Sequence, residues 1–560
     1  MKKLPIGISD FKKIIEDGYY FVDKSMFIAE VMETSAEVIL LPRPRRFGKT
    51  INLSMLRYFF EKDYNNSANK PNEHLFYNLK IWSEDKYHLM SGKYPVIFLT
   101  FKDVKEKTWE STLNKLKNII IEEIKRHEYV YSNLHLTDQN YFQKLLNLEG
   151  HISDYSIALS KLSFYLHEFY KQRVILLIDE YDAPIHASYK FGYYDDAINF
   201  IRNFLSGGMK DNPYLEKGVM TGILRVAKES IFSGLNNLAV FSILSKKFSD
   251  YFGITEIEVE NCLKDYDLYK SFDNVKYWYN GYIFGGKIVY NPWSIMNYLA
   301  FSFDGFKPYW INTSDNEFIR DLVISGNFSR KDLELLLSRK KIEKAVLNDN
   351  ISFRDIKRDI RTLHSLLVCS GYLKAKYTGI QGHHELWDLS IPNEEIFIFY
   401  EDIVSIWIQE IDRNGKIELL RSVIIDGNME AFEDIMQDFV VNTLSYYDTG
   451  GDEPERVYHA FFLGLLLNMS EKYEVKSNRE AGYGRYDVML IPKDTQQIGY
   501  IFEFKKVMKQ EDLKSAASSA LNQIKDKKYY SELLFKNIKN IVFIGIAVQG
   551  KKMKLVSEYL

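Results

Sequence analysis

Four short apolar runs in the first half of this 560-residue chain constrain its fold more than any other feature of the sequence. They are AEVILL (residues 36–41), PVIFLTF (95–101), RVILLID (173–179) and KGVMTGIL (217–224), and longer helical patterns separate them. Consecutive apolar positions are typical of strands buried on both faces, as in a parallel sheet covered by helices. The alternation therefore predicts an α/β fold with a central parallel sheet over roughly residues 30–260.

A glycine-containing turn, RPRRFGKT (residues 43–50), follows the first run and precedes the helical pattern INLSMLRYFFEK. In such a turn, backbone N–H groups face phosphate oxygens, the lysine reaches the β- and γ-phosphates, and the threonine hydroxyl coordinates Mg²⁺. The usual pattern, G-x-x-x-x-G-K-[ST], has glycine where this chain has Arg43. The GKT tripeptide alone fits equally well a turn before a solvated helix start. The nucleotide-binding candidates of this turn are Arg45, Arg46, Gly48, Lys49 and Thr50.

Three carboxylates end the third run, in VILLIDEYD (residues 174–182). Asp179 is predicted to orient a Mg²⁺ ion beside the phosphates, and Glu180 to polarise the attacking water as general base, with Asp182 a weaker candidate base. A core strand that leaves the fold through polar residues would look the same. Because α/β sheets place ligands at the carboxyl ends of strands, the two motifs together indicate nucleotide binding.

The fourth run ends near two further candidates, Thr221 and Arg225. A polar side chain at this position could sense the γ-phosphate, and an arginine could neutralise charge that develops in the transition state. The alternative is a strand end that carries a solvated arginine. Both residues are retained as nucleotide-site candidates.

A second carboxylate pattern lies near the end of the chain, in GRYDVMLIP and FEFKK. Glu503 and Lys505 are two apart on a predicted strand and therefore face the same side, where Asp487 can meet them if the two segments pair. Two carboxylates and the carbonyl of Phe504 could bind Mg²⁺, and the lysine could activate hydroxide for phosphodiester attack. The same alternation is also typical of any half-buried strand. Glu455 is a possible additional metal ligand or a helix-terminal charge.

The helix predicted after this strand places Gln523, Lys527 and Tyr530 at helical spacing, where they could contact substrate phosphate or order the lysine. Residues 501–560 contain 12 lysines and 6 acidic residues, a net charge of +6. A basic surface attracts a phosphate backbone whatever its base sequence, although a solvated face has the same composition. Nucleic acid, DNA or RNA, is therefore the expected partner.

The overall composition excludes several classes of protein. Lys and Arg number 73 against 76 Asp and Glu, a net charge of −3, which excludes a polybasic protein. Cys262 and Cys369 are too few for a disulfide framework and lack the spacing of zinc ligands. The longest apolar runs stop well short of the ~20 residues needed to cross a bilayer. We expect a cytoplasmic protein without membrane contact, and leave an oligomer open.

Three segments are predicted from the change in pattern along the chain. Residues 1–264 carry the parallel sheet, and residues 265–448 form a mostly helical connecting region. The glycines and proline of TGGDEPE, just after residue 448, mark a boundary. Residues 449–560 follow with the order α-β-β-β-α-β, in which the first helix covers residues 456–469 and the last strand residues 540–548.

The whole series of motifs resembles a bacterial family with an N-terminal AAA-ATPase-like P-loop domain and a C-terminal PD-(D/E)XK nuclease-like domain. The motifs that carry this resemblance are LPIGISDFKKIIEDGYYFVDKS, RPRRFGKTINLSML, VILLIDEYDAPI, VMTGILRVAKESIFSGLNN, FGITEIEV, WYNGY, NPWSI, GRYDV, FEFK and QIKDKKY.

The resemblance implies a P-loop NTPase sheet, a helical middle region and a restriction-endonuclease-like α/β domain. It implies that Arg43 is usual at its position, and that Tyr486 stands where the motif name has proline. The residues that it implies for the nucleotide site are Gly48, Lys49, Thr50, Asp179 and Glu180, and those for the nuclease centre are Asp487, Glu503 and Lys505.

Two functional hypotheses follow from these motifs. The first is an ATP-binding, ATP-hydrolysing protein coupled to a Mg²⁺-dependent nuclease that acts on DNA or RNA. The second is a nucleotide-dependent switch or adaptor whose last domain binds nucleic acid or protein without cleavage, because the E-x-K pattern also occurs in folds without activity.

Overall fold

The computed structural model of the chain describes residues 2–62, 72–225, 237–313, 316–325, 328, 330–337, 339–348, 351, 353–356, 358–411, 416–445, 462, 465–466, 469, 472–477, 480–481, 484–507, 512–549 and 552–560. The chain divides into two compact units. The first consists of Met1–Asn316 and Glu343–Ile396, and the second of Glu317–Ile342 and Phe397–Leu560. The three segments bounded at residues 264 and 448 stay a prediction.

A five-stranded sheet with the order β2-β3-β4-β1-β5 forms the centre of the first unit. All its strand pairs are parallel, which confirms the predicted α/β sheet. Every residue of β1 and β3 is buried, as expected for strands covered by helices on both faces. One strand, β4, separates β1 from β3. The strands are β1 (Val38–Pro42), β2 (Val96–Thr100), β3 (Val174–Asp179), β4 (Leu215–Gly222) and β5 (Leu238–Val240).

Both units contain helices, which are numbered here in chain order. They are α1 (Phe11–Glu16), α2 (Met26–Glu33), α3 (Lys49–Phe60), α4 (Asp85–His88), α5 (Trp109–Arg126), α6 (Leu136–Leu146), α7 (Ile152–Ser156), α8 (Ala158–Tyr170), α9 (Ala183–Phe191), α10 (Tyr194–Met209), α11 (Glu256–Asp265), α12 (Phe272–Tyr279), α13 (Pro292–Ala300), α14 (Glu317–Ser325), α15 (Arg330–Leu337), α16 (Ile360–Cys369), α17 (Glu394–Ile411), α18 (Lys416–Asp426), α19 (Met429–Ser445), α20 (Leu513–Asp526) and α21 (Ser531–Phe535). Among the described residues, no helix is long and apolar enough to cross a membrane.

Two small sheets complete the first unit, in a region where the sequence pattern indicated mostly helices. One has the order β6-β8-β7 and the other β10-β11-β9. Their strands are short or half exposed, so their hydrophobic pattern is too weak to be recognised along the chain. They are β6 (Ile254–Thr255), β7 (Tyr282–Phe284), β8 (Lys287–Tyr290), β9 (Ile342–Ala345), β10 (Lys374–Gln381) and β11 (His384–Ser390).

The second unit contains a mixed five-stranded sheet with the order β12-β15-β16-β17-β18. Only β16 and β17 run parallel, and the other neighbours are antiparallel. The last strand was not predicted, because its lysines and glutamate interrupt the apolar pattern. The predicted helix over residues 456–469 lies mostly outside the described residues. The strands are β12 (Tyr473–Ser477), β13 (Glu480–Ala481), β14 (Gly484–Arg485), β15 (Val488–Pro492), β16 (Gly499–Lys506), β17 (Ile541–Gln549) and β18 (Lys552–Tyr559).

Helix α19 covers the outer edge of this sheet. The Glu433 carboxylate accepts a hydrogen bond from the Leu555 N–H at 3.0 Å, and the Gln437 side chain accepts one from the Met553 N–H at 2.7 Å. Unpaired N–H groups on an edge strand invite pairing with another chain, and these side chains occupy them. Helix α19, which precedes residue 449, therefore belongs to the same compact unit as the last strands.

Gly545 explains how closely α20 approaches the sheet. A Cβ atom at this position of β17 would lie 2.1 Å from the Ala517 carbonyl oxygen and 2.6 Å from the Leu521 nitrogen. Both are backbone atoms of α20, so no side chain can move aside to make room. Glycine is therefore required where the helix contacts the strand.

We expect Gly545→Ala to destabilise the second unit by about 3 kcal/mol, because overpacking forces the whole helix to shift. The measurement is pulse proteolysis in urea with mass spectrometry of fragments from residues 499–560. Gly218→Ala is the matched control, since a Cβ there would meet Val38 side-chain atoms at 3.4 and 3.5 Å, an ordinary contact distance. Equal urea midpoints of unfolding for the two variants would contradict the close contact between α20 and β17.

Candidate nucleotide and metal sites

The phosphate-binding turn connects β1 to α3 at the carboxyl edge of the parallel sheet. Gly48 precedes the first helical residue with φ 83° and ψ 18°, a left-handed conformation that glycine adopts without strain. Arg46, two residues earlier, has φ 67°. These conformations let the turn curve back over the N-terminus of α3, where free N–H groups favour an anion.

Lys49 lies buried at the start of α3, with 4% of its surface exposed. Its ammonium donates hydrogen bonds to the carbonyl oxygens of Arg43 at 3.1 Å and Pro44 at 2.9 Å. Burial lowers the pKa of Lys49, and the carboxylates of Glu180 and Asp179 act in the opposite direction. The cation is therefore held inside the turn by neutral carbonyls, which an anionic phosphate can replace.

Asp179 brings the two halves of the predicted nucleotide site together. The residue is fully buried at the end of β3. One carboxylate oxygen accepts a hydrogen bond from the Thr50 hydroxyl at 2.7 Å, and the other accepts one from the Thr221 hydroxyl at 2.6 Å. Hydroxyl and carboxylate oxygens are the ligands that Mg²⁺ prefers, so Thr50 and Asp179 fit a magnesium ion beside the turn.

Glu180 and Asp182 follow β3 but have different surroundings. Glu180 has φ 50°, a left-handed conformation, and it lines a cavity that lies beside the turn. Asp182 is 2% exposed and accepts hydrogen bonds from the N–H groups of Ile223 and Leu224 at 2.7 and 2.9 Å. Burial raises the pKa of Asp182 to about 6, while these N–H groups act to lower it. Asp182 therefore ties β3 to the end of β4, and Glu180 is the carboxylate that faces the cavity.

Arg43 occupies the position of the first glycine in the usual pattern, and its side chain points into the core. Its guanidinium donates hydrogen bonds to the carbonyls of Pro42, Phe241 and Phe248 at 2.8, 2.7 and 3.0 Å. It also lies 4.9 Å from the ring centroid of Phe252. Arg43 therefore fixes the turn from the core side, and its side chain does not line the cavity where phosphate would bind.

A cavity of about 420 Å³ opens beside the turn within the first unit. The predicted residues Arg45, Arg46, Gly48, Lys49 and Thr50 line it, together with Glu180. Thr221 and Arg225 do not line this cavity; Thr221 reaches the site through its bond to Asp179. The remaining lining residues, which the motif analysis did not identify as site residues, are Pro5, Ile6, Gly7, Ile8, Ser9, Tyr20, Phe21, Val22, Lys24, Phe47, Ile51, Asn52, Lys102, Lys105, Tyr251, Gly253, Ile254, Pro292, Trp293 and Met296.

Residues far along the chain brace the outside of the turn. The Arg46 guanidinium lies 4.1 Å from the Trp293 ring centroid, and the Trp310 indole N–H donates to the Arg45 carbonyl at 3.1 Å. The Trp310 backbone N–H in turn donates to the buried carboxyl of Glu395 at 2.5 Å. Nothing in the sequence pattern around Trp293 or Trp310 indicates that these residues lie against the turn.

Glu395 predicts a pH dependence of stability. Burial raises its pKa from 4.5 to about 7 in the folded chain. Between these values the folded chain keeps a proton that the unfolded chain has lost, so stability falls as pH rises, by up to about 3 kcal/mol from this group. Glu395→Gln should remove that component, since the amide can still accept from the Trp310 N–H and donate to the Ser294 hydroxyl.

The measurement for Glu395 is the thermal unfolding midpoint of the full chain at pH 5 and pH 8. We expect a smaller decrease between the two pH values for Glu395→Gln than for the unchanged protein. The Glu394→Gln variant is the control. Parallel pH profiles for all three proteins would contradict the assignment.

The carboxylates of the second unit meet at the start of the β15–β16 pair. The Phe504 N–H donates to the Asp487 carboxylate at 2.8 Å, and the Asp487 N–H lies 3.3 Å from the Glu503 carboxylate. The Asp487 carboxylate is thus held by the N–H of the residue after Glu503, and the Glu503 carboxylate by the N–H of Asp487 itself. The two segments pair, with Val488 opposite Phe502, so the condition under which Asp487 can meet Glu503 is fulfilled.

Glu503 is 5% exposed, and its other carboxylate oxygen accepts a hydrogen bond from the Gln523 amide. Burial first, and then the negative charge of Asp487, raises the pKa of Glu503. Two carboxylates whose charges oppose each other in a partly enclosed place are stabilised by a divalent cation. This donor set fits Mg²⁺, although the described residues include no group of three acidic, histidine or cysteine side chains that could hold a metal.

Lys505 projects from β16 two residues beyond Glu503, and its ammonium donates to the Ser519 hydroxyl of α20 at 2.6 Å. Helix α20 therefore contacts both Glu503 and Lys505. Two further predicted residues lie elsewhere: Lys527 is exposed at the C-terminus of this helix, and the Tyr530 ring packs 5.4 Å from that of Phe543. Glu455 lies outside the described residues.

Two family models match the chain, one in each half of the sequence. Residues 5–232 match the family described as predicted AAA-ATPase, and residues 453–558 match the PD-(D/E)XK nuclease superfamily. This pair confirms the architecture that the motifs resemble. Over these two ranges the chain is similar to an AAA-ATPase domain and to a PD-(D/E)XK nuclease domain, in that order along the sequence.

Two individual proteins are also similar to the chain. A protein of Azotobacter chroococcum mcd 1, described as an uncharacterized protein in the vnfD 5′ region, is 25% identical over 537 residues, which cover 94% of this chain and 93% of the relative. The structure of the Walker-type ATPase PABY2304 of Pyrococcus abyssi shares 11% identity and covers 71% of this chain and 98% of its own, with a TM-score of 0.36. That score is too low to establish a common fold.

Proposed function

We propose that the chain binds and hydrolyses ATP in its first unit and cleaves phosphodiester bonds of nucleic acid in its second. The observation that carries the proposal is that acidic side chains converge at both places where phosphate chemistry was predicted. In the first unit, Asp179 accepts hydrogen bonds from the hydroxyls of Thr50 and Thr221. In the second unit, the Asp487 carboxylate accepts one from the Phe504 N–H, and the Glu503 carboxylate accepts one from the Asp487 N–H.

In the first unit, the N–H groups at the start of α3 and the Lys49 ammonium bind the phosphates. Thr50 and Asp179 would hold Mg²⁺, which supplies positive charge beside the β- and γ-phosphates when bound. Glu180 accepts a proton from the attacking water. The water oxygen bonds to the terminal phosphorus while the bond from that phosphorus to the bridging oxygen breaks, giving nucleoside diphosphate and inorganic phosphate.

In the second unit, Asp487, Glu503 and the Phe504 carbonyl would hold a divalent metal that polarises the scissile phosphate when bound. Lys505 orients the attacking water and stabilises it as it loses its proton. The water oxygen bonds to phosphorus and one ester P–O bond breaks, while the proton that the water loses is taken up by the departing oxygen. Each cleavage therefore yields one phosphate monoester end and one hydroxyl end. Gln523 keeps the Glu503 carboxylate in position.

The test incubates the purified full chain and Mg²⁺ with labelled single- and double-stranded DNA and RNA, with and without ATP. We expect Mg²⁺-dependent products whose yield changes with ATP, together with release of inorganic phosphate. Phosphate release without cleavage of any substrate would contradict the nuclease half and favour the nucleotide-dependent adaptor. Cleavage without any ATP binding would contradict the ATPase half.

A further inference from the structure

The turn that follows β2 presents two lysines to the nucleotide cavity. Phe101 and Val104 are buried, with 1% and 0% of their surfaces exposed, and they fix this turn against the core. Lys102 and Lys105 alternate with them, are exposed, and line the cavity. The alternation of buried and exposed positions therefore holds both lysine side chains on the cavity side of a well-anchored segment.

The neighbouring strand places this turn beside the hydrolytic residues. β2 pairs with β3, and Thr100 lies opposite Asp179 in the register. The next N–H, that of Phe101, donates to the Asp179 carbonyl at 2.9 Å. The segment with the two lysines, which follows β2, therefore begins next to the segment with Glu180, which follows β3. In a triphosphate-binding site, this is the end at which the terminal phosphate meets water.

The charges around the cavity are strongly unbalanced. Its lining includes six cationic side chains and one carboxylate, that of Glu180. Lys24 is engaged by the Glu258 carboxylate at 2.6 Å, and Lys49 by carbonyls of the turn. Within the part of the chain that the structure describes, Lys102 and Lys105 form no ion pair. Their charges are available to an anion in the cavity.

The Lys105 charge also acts on His186, which lies in α9 just after the β3 carboxylates. Burial lowers the pKa of His186, and the charges of Arg45 and Lys105 lower it further. The Lys105 charge therefore acts on the same side of the cavity as Arg45 and the helix that follows Glu180.

We propose that Lys105 is a catalytic residue that contacts the terminal phosphate of the bound triphosphate, with Lys102 flanking it. This inference rests on the proposed ATPase function. During hydrolysis, negative charge on the terminal phosphoryl oxygens is redistributed, and a fixed cation at that position lowers the barrier. Such a contact also distinguishes a triphosphate from a diphosphate, which lacks the phosphate that Lys105 contacts.

The experiment compares the full chain with Lys105→Met, Lys102→Met and Lys107→Met. Calorimetry measures the affinities for ADP and for a non-hydrolysable ATP analogue, each with Mg²⁺, and phosphate release gives kcat and KM for ATP. We expect Lys105→Met to lower the analogue affinity about 10-fold, leave the ADP affinity unchanged, and lower kcat about 100-fold. Lys102→Met should have a smaller effect of the same kind. Lys105→Arg should restore most of the loss.

Lys107 is the matched control, because it is an exposed lysine two residues away that does not line the cavity. A Lys105→Met protein with unchanged affinity ratio and unchanged kcat, alongside an active unchanged protein, would overturn this inference and leave the ATPase proposal standing. Equal losses for ADP and the analogue would also overturn it, since they indicate a structural role. An unchanged protein that binds neither nucleotide would overturn both proposals.

Discussion

Replacing Lys49 with alanine is expected to weaken ATP binding at least about 100-fold and to abolish phosphate release. The Lys49 ammonium is buried at the N-terminus of α3 and donates hydrogen bonds to two carbonyl oxygens of the turn. A bound phosphate would provide a full negative charge in the same low-dielectric place, so removing the cation removes a strong interaction. Isothermal titration calorimetry with ATP and Mg²⁺ measures the loss.

Lys217→Ala is the control for this result. Lys217 is also a buried lysine, and its ammonium donates to the carbonyls of Thr34 and Ala36 at 2.8 and 2.9 Å, but it does not line the cavity. We expect this control to lower the unfolding temperature and to keep ATP affinity. If Lys49→Ala binds ATP within threefold of the unchanged chain, the phosphate site has been misassigned.

Replacing Glu503 with glutamine is expected to reduce Mg²⁺-dependent nucleic acid cleavage by roughly 100- to 1000-fold, because one of the two converging charges is lost. The variant should remain folded, since burial already disfavours the charged form of this side chain. ATP affinity should be unchanged. Cleavage of a fluorescent oligonucleotide over a range of Mg²⁺ concentrations measures the effect.

Glu558→Gln provides the comparison for Glu503→Gln. Glu558 is in the same unit and pairs with Lys525 at 2.6 Å on the surface, so its loss should leave cleavage unchanged. Full Mg²⁺-dependent cleavage by the Glu503→Gln protein would show that the centre lies elsewhere. Equal losses in both variants would indicate a general effect on the fold of the second unit.

The parallel sheet could be predicted because four apolar runs must all be buried on both faces, and few arrangements satisfy that requirement. The order of the strands places β4 between β1 and β3, and this order brings Thr221 to Asp179. The pairing of β15 with β16 was left open by the sequence, which indicated only that both segments are strands. The evidence for the strands themselves was local in sequence, whereas their order and their pairing came from the structure.

The surroundings of the cavity could not be predicted in the same way. Trp310 contacts the turn across 265 positions of the chain, and Lys105 reaches the cavity only because β2 happens to be the neighbour of β3. Arg43 was recognised as a departure from the usual pattern, but two of the three carbonyls that accept hydrogen bonds from its guanidinium come from a loop about 200 residues later. None of these contacts leaves a periodic signal.

The amino-acid sequence alone determined which segments form buried strands, where a phosphate-binding turn begins, and which acidic residues end up at strand ends, since these depend on the pattern of neighbouring residues. Only the tertiary structure decided which charges face the cavity, that the Asp182 carboxylate links the ends of β3 and β4 by hydrogen bonds, and that the absence of a side chain at Gly545 lets α20 pack closely on the sheet. The physical reason is that burial and electrostatic partners depend on distances through space, which short-range patterning does not specify.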